Sequence, residues 1–262
     1  MKMLFRRCLV HPTLGLLSIT IFSGCGDAQP QKSRPVAAAR PERAEHEEDR
    51  RPEQKPPMPL PGVQVGKNVS LEVNGDSRRV LINAVVCFRM GMLEQFLCRA
   101  GTKEHESILA ADIDARQVHA ALIAAGAEPG SPVKFRPEYA PARGTVIKVF
   151  VQYEDKGKTI KVPAQHWVRN LKTRKELQHD WVFAGSLLFE NQNDPKAPPL
   201  YAANDGDVIC VANFESAMLD LPISSSADNE DLDFEAFTER IPPEGTNVMV
   251  ILEPVLPKKK SP

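Results

Sequence analysis

Several signatures that would assign a chemistry are missing from this chain. There is no C-x-x-C pair to hold an iron–sulfur cluster or a zinc knuckle. No H-E-x-x-H or H-x-x-x-H spacing occurs among the 6 histidines. No glycine-rich phosphate loop is present, and Gly185-Ser186 lacks the rest of a nucleophile elbow. Aromatic residues are scarce at 6%, with 2 tryptophans. No run of about 20 apolar residues offers a membrane span. A net charge of −1 gives no electrostatic case for nucleic acid, so no nucleic-acid partner is expected.

What is present begins at the N-terminus. Lys2, Arg6 and Arg7 precede an apolar stretch that ends Ile21-Phe22-Ser23-Gly24-Cys25. A basic start, a short apolar segment and small residues before a cut describe a secretory signal peptide over 1–24. The cysteine directly after Ser23-Gly24 makes the segment resemble the lipobox of bacterial lipoproteins. That resemblance implies cleavage before Cys25 and a diacylglyceryl thioether on its sulfur, with acyl chains such as palmitate. The expected localisation is a lipid anchor in the cell membrane or outer membrane, with the rest of the chain on the extracytoplasmic side. The membrane lipid held through Cys25 is the first expected partner. Loss of a leader carrying Lys2, Arg6 and Arg7 and no acid moves the charge from −1 to −4.

Residues 25–61 read as a disordered tether. Between 26 and 61 there are eight prolines, seven basic and seven acidic residues, and almost nothing branched or aromatic. Such a segment cannot bury enough apolar surface to fold. A flexible chain of this length spans about 35 Å, and proline stiffens it further. The folded domain is placed at 62–256, followed by a basic tail at 257–262 containing Lys258-Lys259-Lys260, most simply solvated.

Within the domain the pattern is strand-rich. Val69 to Val73 alternates, then Asn74-Gly75-Asp76 signals a hairpin turn. Arg79–Phe88 reads as a longer apolar strand with Leu93–Cys98 as its antiparallel partner. Lys148–Tyr153 and Lys158–Val162 form a hairpin around Lys156-Gly157. Further strands fit Val133–Arg136, Trp181–Phe189, Val208–Ala212 and Asn247–Leu252, and Ser224–Glu239 reads as a polar surface excursion. One helix is clear over about 114–125: Asp114 caps it, apolar residues recur at helical spacing, and Gly126 stops it. The expected fold class is α+β, mainly antiparallel β-sheet with that one helix.

Gly101-Thr102-Lys103-Glu104-His105-Glu106-Ser107-Ile108-Leu109, an aspartate pair, and a helix ending Ala-Leu-Ile-Ala-Ala-Gly-Ala-Glu-Pro-Gly together resemble the YdjY domain. So do Asp180-Trp181-Val182-Phe183-Ala184-Gly185-Ser186 and Pro242-Pro243-Glu244-Gly245-Thr246-Asn247-Val248. The similarity spans roughly 65–254. It brings no catalytic residues with it. The ferredoxin-type cysteine motifs of some relatives are missing here, so that association does not transfer.

Two clusters could carry chemistry. The first is Glu104, His105, Glu106 and Ser107, with Asp112, Asp114 and His119 behind. Imidazole and carboxylate suit a divalent metal, and His105 with Ser107 could serve as base and nucleophile. In an extended segment Glu104 and Glu106 would share one face, and His105 and Ser107 the other. The plainer reading has the acids solvated and the other two bonded to backbone. The second cluster is His166, Trp167, Arg169, His179, Asp180 and Trp181, whose imidazole, indole and cation suit a polar pocket with a stacking wall. The plainer reading places the tryptophans in the core. Cys87 and Cys98 could be bridged across a hairpin or stay as free thiols, and Cys210 sits in an apolar strand. Two functions follow as expectations: a binding or interaction module for an envelope protein or small ligand, needing no cofactor, or a metal-dependent or hydrolytic enzyme centred on His105 and Glu106.

Overall fold

The computed structural model describes residues 57–191, 194, 196–225 and 233–257. The signal peptide, Cys25, the tether up to residue 56 and Lys258-Lys259-Lys260 lie outside the described residues.

Strands dominate. In chain order they are β1 (Val63–Gly66), β2 (Val69–Asn74), β3 (Ser77–Val86), β4 (Gln95–Arg99), β5 (Ser107–Ala111), β6 (Pro129–Ser131), β7 (Arg143–Gly144), β8 (Val146–Asp155) and β9 (Lys158–Pro163). They continue with β10 (Val168–Asn170), β11 (Trp181–Phe183), β12 (Leu188–Phe189), β13 (Leu200–Tyr201), β14 (Ile209–Cys210), β15 (Leu219–Asp220), β16 (Phe234–Ala236) and β17 (Asn247–Pro254). Among the described residues there is one α-helix, α1 (Ala115–Ala124), which follows β5.

The main sheet closes on itself. β3, β17, β8, β11, β15, β14, β4 and β5 pair in that order, and Val85↔Ala110 and Val86↔Leu109 join β5 back to β3. All ring pairings are antiparallel except β4–β5 and β14–β15. The result is an eight-stranded barrel, a size that side chains can fill. β1 and β2 extend outward from β3, and β9 from β8.

Alternation along the longest strands sorts the side chains. Val80, Ile82 and Ala84 of β3, Val248, Val250 and Leu252 of β17, and Ile147, Val149 and Val151 of β8 enter one core. The intervening Leu81, Met249, Ile251 and Phe150 form a second apolar layer, covered by Met58 and Leu60. The Met58 carbonyl accepts a hydrogen bond from Asn83 Nδ2 at 2.8 Å, and that of Pro61 accepts one from Ser70 Oγ at 2.7 Å. The carbonyls of Met58 and Pro61 are thus tied to β3 and β2 just ahead of the boundary expected at Gly62.

The helix starts where expected. The Asp114 carboxylate accepts from Arg116 N at 2.9 Å and from Asn204 Nδ2 at 3.0 Å. The Arg116 hydrogen bond holds the Asp114 carboxyl down at about 2, against the cost of burial. Ala115, Val118, Ala121 and Leu122 are buried on the face turned to β1, β2 and β3. Burying a leucine such as Leu122 contributes about 1.5–3 kcal/mol. Gly126, at φ +95°, ends the helix. Gly75, at φ +59°, makes the tight β2–β3 turn, and the β8–β9 hairpin forms where the sequence places it.

Several expectations are corrected. Leu93–Cys98 is not the partner of Arg79–Phe88. β4 runs parallel to β5 and antiparallel to β14, and β5 lies between β3 and β4. Local alternation gives strands but not non-local partners. Val133–Arg136 is reduced to the single bridge Lys134↔Ala140. The stretch Trp181–Phe189 divides into β11 and β12, because positive φ at Gly185 and Ser186 turns the chain. Within Ser224–Glu239, Phe234 and Ala236 are core residues on β16, paired with β10.

Candidate functional site

The seven residues joining β4 to its parallel neighbour β5 carry the first sequence cluster, and they are not extended. Glu104–Glu106 is a 3₁₀ turn. The Glu104 carboxylate closes it by accepting from Gly101 N. His105 faces solvent with its side chain 76% exposed, 3.7 Å from Glu106 Oε2. Ser107 is fully buried and donates to the Leu109 carbonyl at 2.8 Å. His119, on α1, is directed elsewhere: its Nδ1 lies 2.8 Å from Tyr201 Oη and its ring packs edge-on against Phe183. Burial holds the His119 pKa down, favouring the neutral ring. The structure does not bring Glu104, His105, Glu106, Ser107 and His119 together: Ser107 and His119 bond elsewhere, and His105 faces solvent beside Glu106.

Glu106 belongs to a different cluster. Lys103 Nζ lies 3.0 Å from Asp207 Oδ1, 3.8 Å from Glu94 Oε2 and 3.9 Å from Glu106 Oε1. The same ammonium sits 4.7 Å from the centre of the Phe214 ring. Asp207 also accepts from Gln95 Nε2 at 3.0 Å and from Ser216 Oγ at 2.5 Å. Three carboxylates thus converge on one lysine, with Glu94 and Asp207 buried. Burial first, then the Glu106 charge, pushes the Glu94 carboxyl up. Burial pulls Lys103 down, but Asp207 and Glu94 outweigh it and its net shift is upward. The acids thus favour a charged Lys103, and burial favours the protonated form of Glu94.

This cluster adjoins a pocket. A cavity of about 340 Å³ is walled by Phe135, Leu187, Phe189 and Phe214, with Asn213, Glu215 and Ser216 as its polar lining. Phe214 and Ser216 belong to both features: one lies under Lys103, the other bonds Asp207. An apolar pocket with few polar groups, beside a buried charge cluster in which the Glu94 carboxyl is pushed up, is the arrangement expected of a ligand site. Asn213–Ser216 is not legible in the sequence, because a run of one amide, one ring, one acid and one hydroxyl has no signature. Lys103 lies inside the YdjY-like motif and Glu94 only nine residues before it, but Asp207 is more than a hundred positions away.

The second sequence cluster does not form a pocket. Trp167 and Trp181 are fully buried and both pack on Phe96. Trp181 Nε1 donates to the Cys210 carbonyl at 2.7 Å. His179 is exposed, and Asp180 pairs with Lys148 at 2.5 Å. His166 approaches Glu176 at 3.6 Å. Another cavity of about 340 Å³ lies nearby, lined by Arg174, Lys175, Glu176, Gln178, Phe237 and Arg240. Arg240 pairs with Glu176 and Arg174 with Glu235, each at 2.6–2.7 Å, so those cations are already neutralised.

Cys87, Cys98 and Cys210 are free thiols. Cys87 follows β3 and Cys98 lies on β4, and the two thiols are hydrogen-bond neighbours that are not bridged. Their mutual hydrogen bond pushes the Cys87 thiol up and pulls that of Cys98 down. Cys87 also bonds the Ser107 carbonyl at 3.1 Å. Among the described residues, no group of three or more His, Cys, Asp or Glu side chains could hold a metal ion. Nor is any helix among them long and apolar enough to cross a membrane.

No curated protein and no solved structure matches the chain. A family model does match: the YdjY domain, over residues 71–253. That range runs from β2 to β17 and takes in the whole barrel, α1, the Lys103 cluster and the Phe214 pocket. The chain belongs to the YdjY domain family.

Proposed function

We propose that this chain is a lipid-anchored protein of the bacterial cell envelope that displays its YdjY domain, on a proline-rich tether, as an extracytoplasmic binding module. The anchor rests on the basic start, apolar segment and Ser23-Gly24-Cys25 of the N-terminus. The binding role rests on one observation above the others: the Phe-walled pocket abutting the Lys103 cluster. Among the described residues lining that pocket, Glu215 is the one that carries a charge. Aromatic faces and a carboxylate favour an apolar body carrying a cation, that is, an arylalkyl or alkyl ammonium group of a small ligand or of an envelope protein's side chain. Such recognition uses no cofactor. The alternative, a metal-dependent or hydrolytic enzyme centred on His105 and Glu106, is disfavoured by the solvent-facing position of His105 and by the engagement of Ser107 with Leu109.

Phenethylammonium is the simplest probe with both features. Calorimetric titration of the full chain is expected to show binding, and Phe214→Ala should weaken it at least about tenfold, the loss of one good stacking contact. Unchanged affinity in Phe214→Ala would place the binding elsewhere. The anchor has its own test. Cys25→Ala removes the sulfur that accepts the diacylglyceryl group, so the variant should leave the detergent phase in which the wild type partitions. A variant that partitions like wild type would contradict the lipoprotein reading.

A further inference from the structure

Asp220, on β15, is fully buried and makes no ion pair among the described residues. Its Oδ1 accepts from Asn213 Nδ2 at 2.8 Å and from Leu221 N at 2.8 Å. The Asn213 amide donates a second time, to the Leu221 carbonyl at 2.7 Å. Both partners of that nitrogen are acceptors, so the orientation of the amide is fixed. Two atoms are left over. Asn213 Oδ1 and Asp220 Oδ2 are both buried, and neither has a hydrogen-bond partner among the described residues. Buried acceptors are rarely left bare, and here two belong to side chains that already share a hydrogen bond.

One proton satisfies both. We propose that Asp220 is held in the native protein as a neutral carboxylic acid whose Oδ2–H donates to Asn213 Oδ1, closing a reciprocal acid–amide pair. The pair ties the Asn213–Ser216 segment, which lines the pocket, to β15. The titratable groups facing Asp220 agree with a neutral acid. Asp207, before β14, adds a like charge, and its own attraction is directed to Lys103. Cys210, on β14, is buried with its thiol pushed up, so it stays neutral. Burial pushes Asp220 up to about 8, against the hydrogen bonds from Leu221 and Asn213 and the nearby Phe214 backbone, which favour the anion.

The sign of the pH effect follows. The folded pKa of about 8 lies above the ordinary value of 3.8. The stabilisation is therefore complete below about pH 4, is lost as pH rises to about 8, and changes no further above that. Asp220→Asn supplies a permanently neutral donor of the same shape. In urea unfolding of the full chain, the ratio of the wild-type unfolding constant to that of Asp220→Asn should rise about tenfold per pH unit between about 4 and 8, then level off. A ratio independent of pH would overturn the proposal. Should Asp220→Asn fail to fold, carbon NMR of the wild-type Asp220 carboxyl decides the matter. A titration midpoint near 8 supports the neutral acid, and a carboxyl already ionised at pH 6 overturns it.

Discussion

Lys103→Ala is expected to lower the stability of the domain by about 3 kcal/mol at pH 7, and by much less near pH 4. Lys103 pairs with all three of Asp207, Glu94 and Glu106. Its removal leaves buried carboxylates facing one another, and breaking a buried pair costs about 3–5 kcal/mol. Lys103 is a quarter exposed, so solvent screening places the loss at the low end. The deficit depends on ionised acids, so protonating them at low pH removes it. Urea unfolding of wild type and variant at the two pH values measures the difference. An equal loss at both would mean that Lys103 acts through packing on Phe214, not through charge.

Trp181→Ala is expected to cost more, about 3–5 kcal/mol from the cavity and the lost transfer of a large ring. Trp181 is fully buried on a three-residue barrel strand, packs on Phe96, and donates to the Cys210 carbonyl on β14. At about 2–4 °C per kcal/mol for a domain of this size, the melting temperature should fall by about 6–20 °C. Thermal unfolding checks it. A fall of only a degree or two would revive the reading of Trp181 as a pocket wall.

The parts legible in the sequence were the local ones. The β2–β3 and β8–β9 hairpins are set by alternation and by Gly75 and Gly157 at positive φ. The helix is set by Asp114, its apolar face and Gly126. Barrel closure was not legible, because the Val85↔Ala110 pairing depends on which strands meet, and β11, β14 and β15 are too short to show a period. The Glu104–Ser107 run was recognised as unusual, but its geometry was inverted. As a strand it would present paired faces. As a 3₁₀ turn it spends Glu104 on closing the loop, exposes His105, and delivers Glu106 alone to the cluster. Asp207 reaches Lys103 from more than a hundred positions along the chain, and no spacing rule links them. The two tryptophans misled for a simple reason. His166-Trp167 and Asp180-Trp181 are polar–aromatic neighbours in sequence, yet the backbone turns each ring inward and its neighbour out.

The most direct test of the account is to follow the backbone amides of the full chain by NMR during titration with phenethylammonium. The account predicts saturable shifts at Phe135, Leu187, Phe189 and Asn213–Ser216, carried through Phe214 to Lys103, and lost in Phe214→Ala. Saturable shifts confined to the His105 turn or to the Arg240 cavity, or none at all, would contradict it.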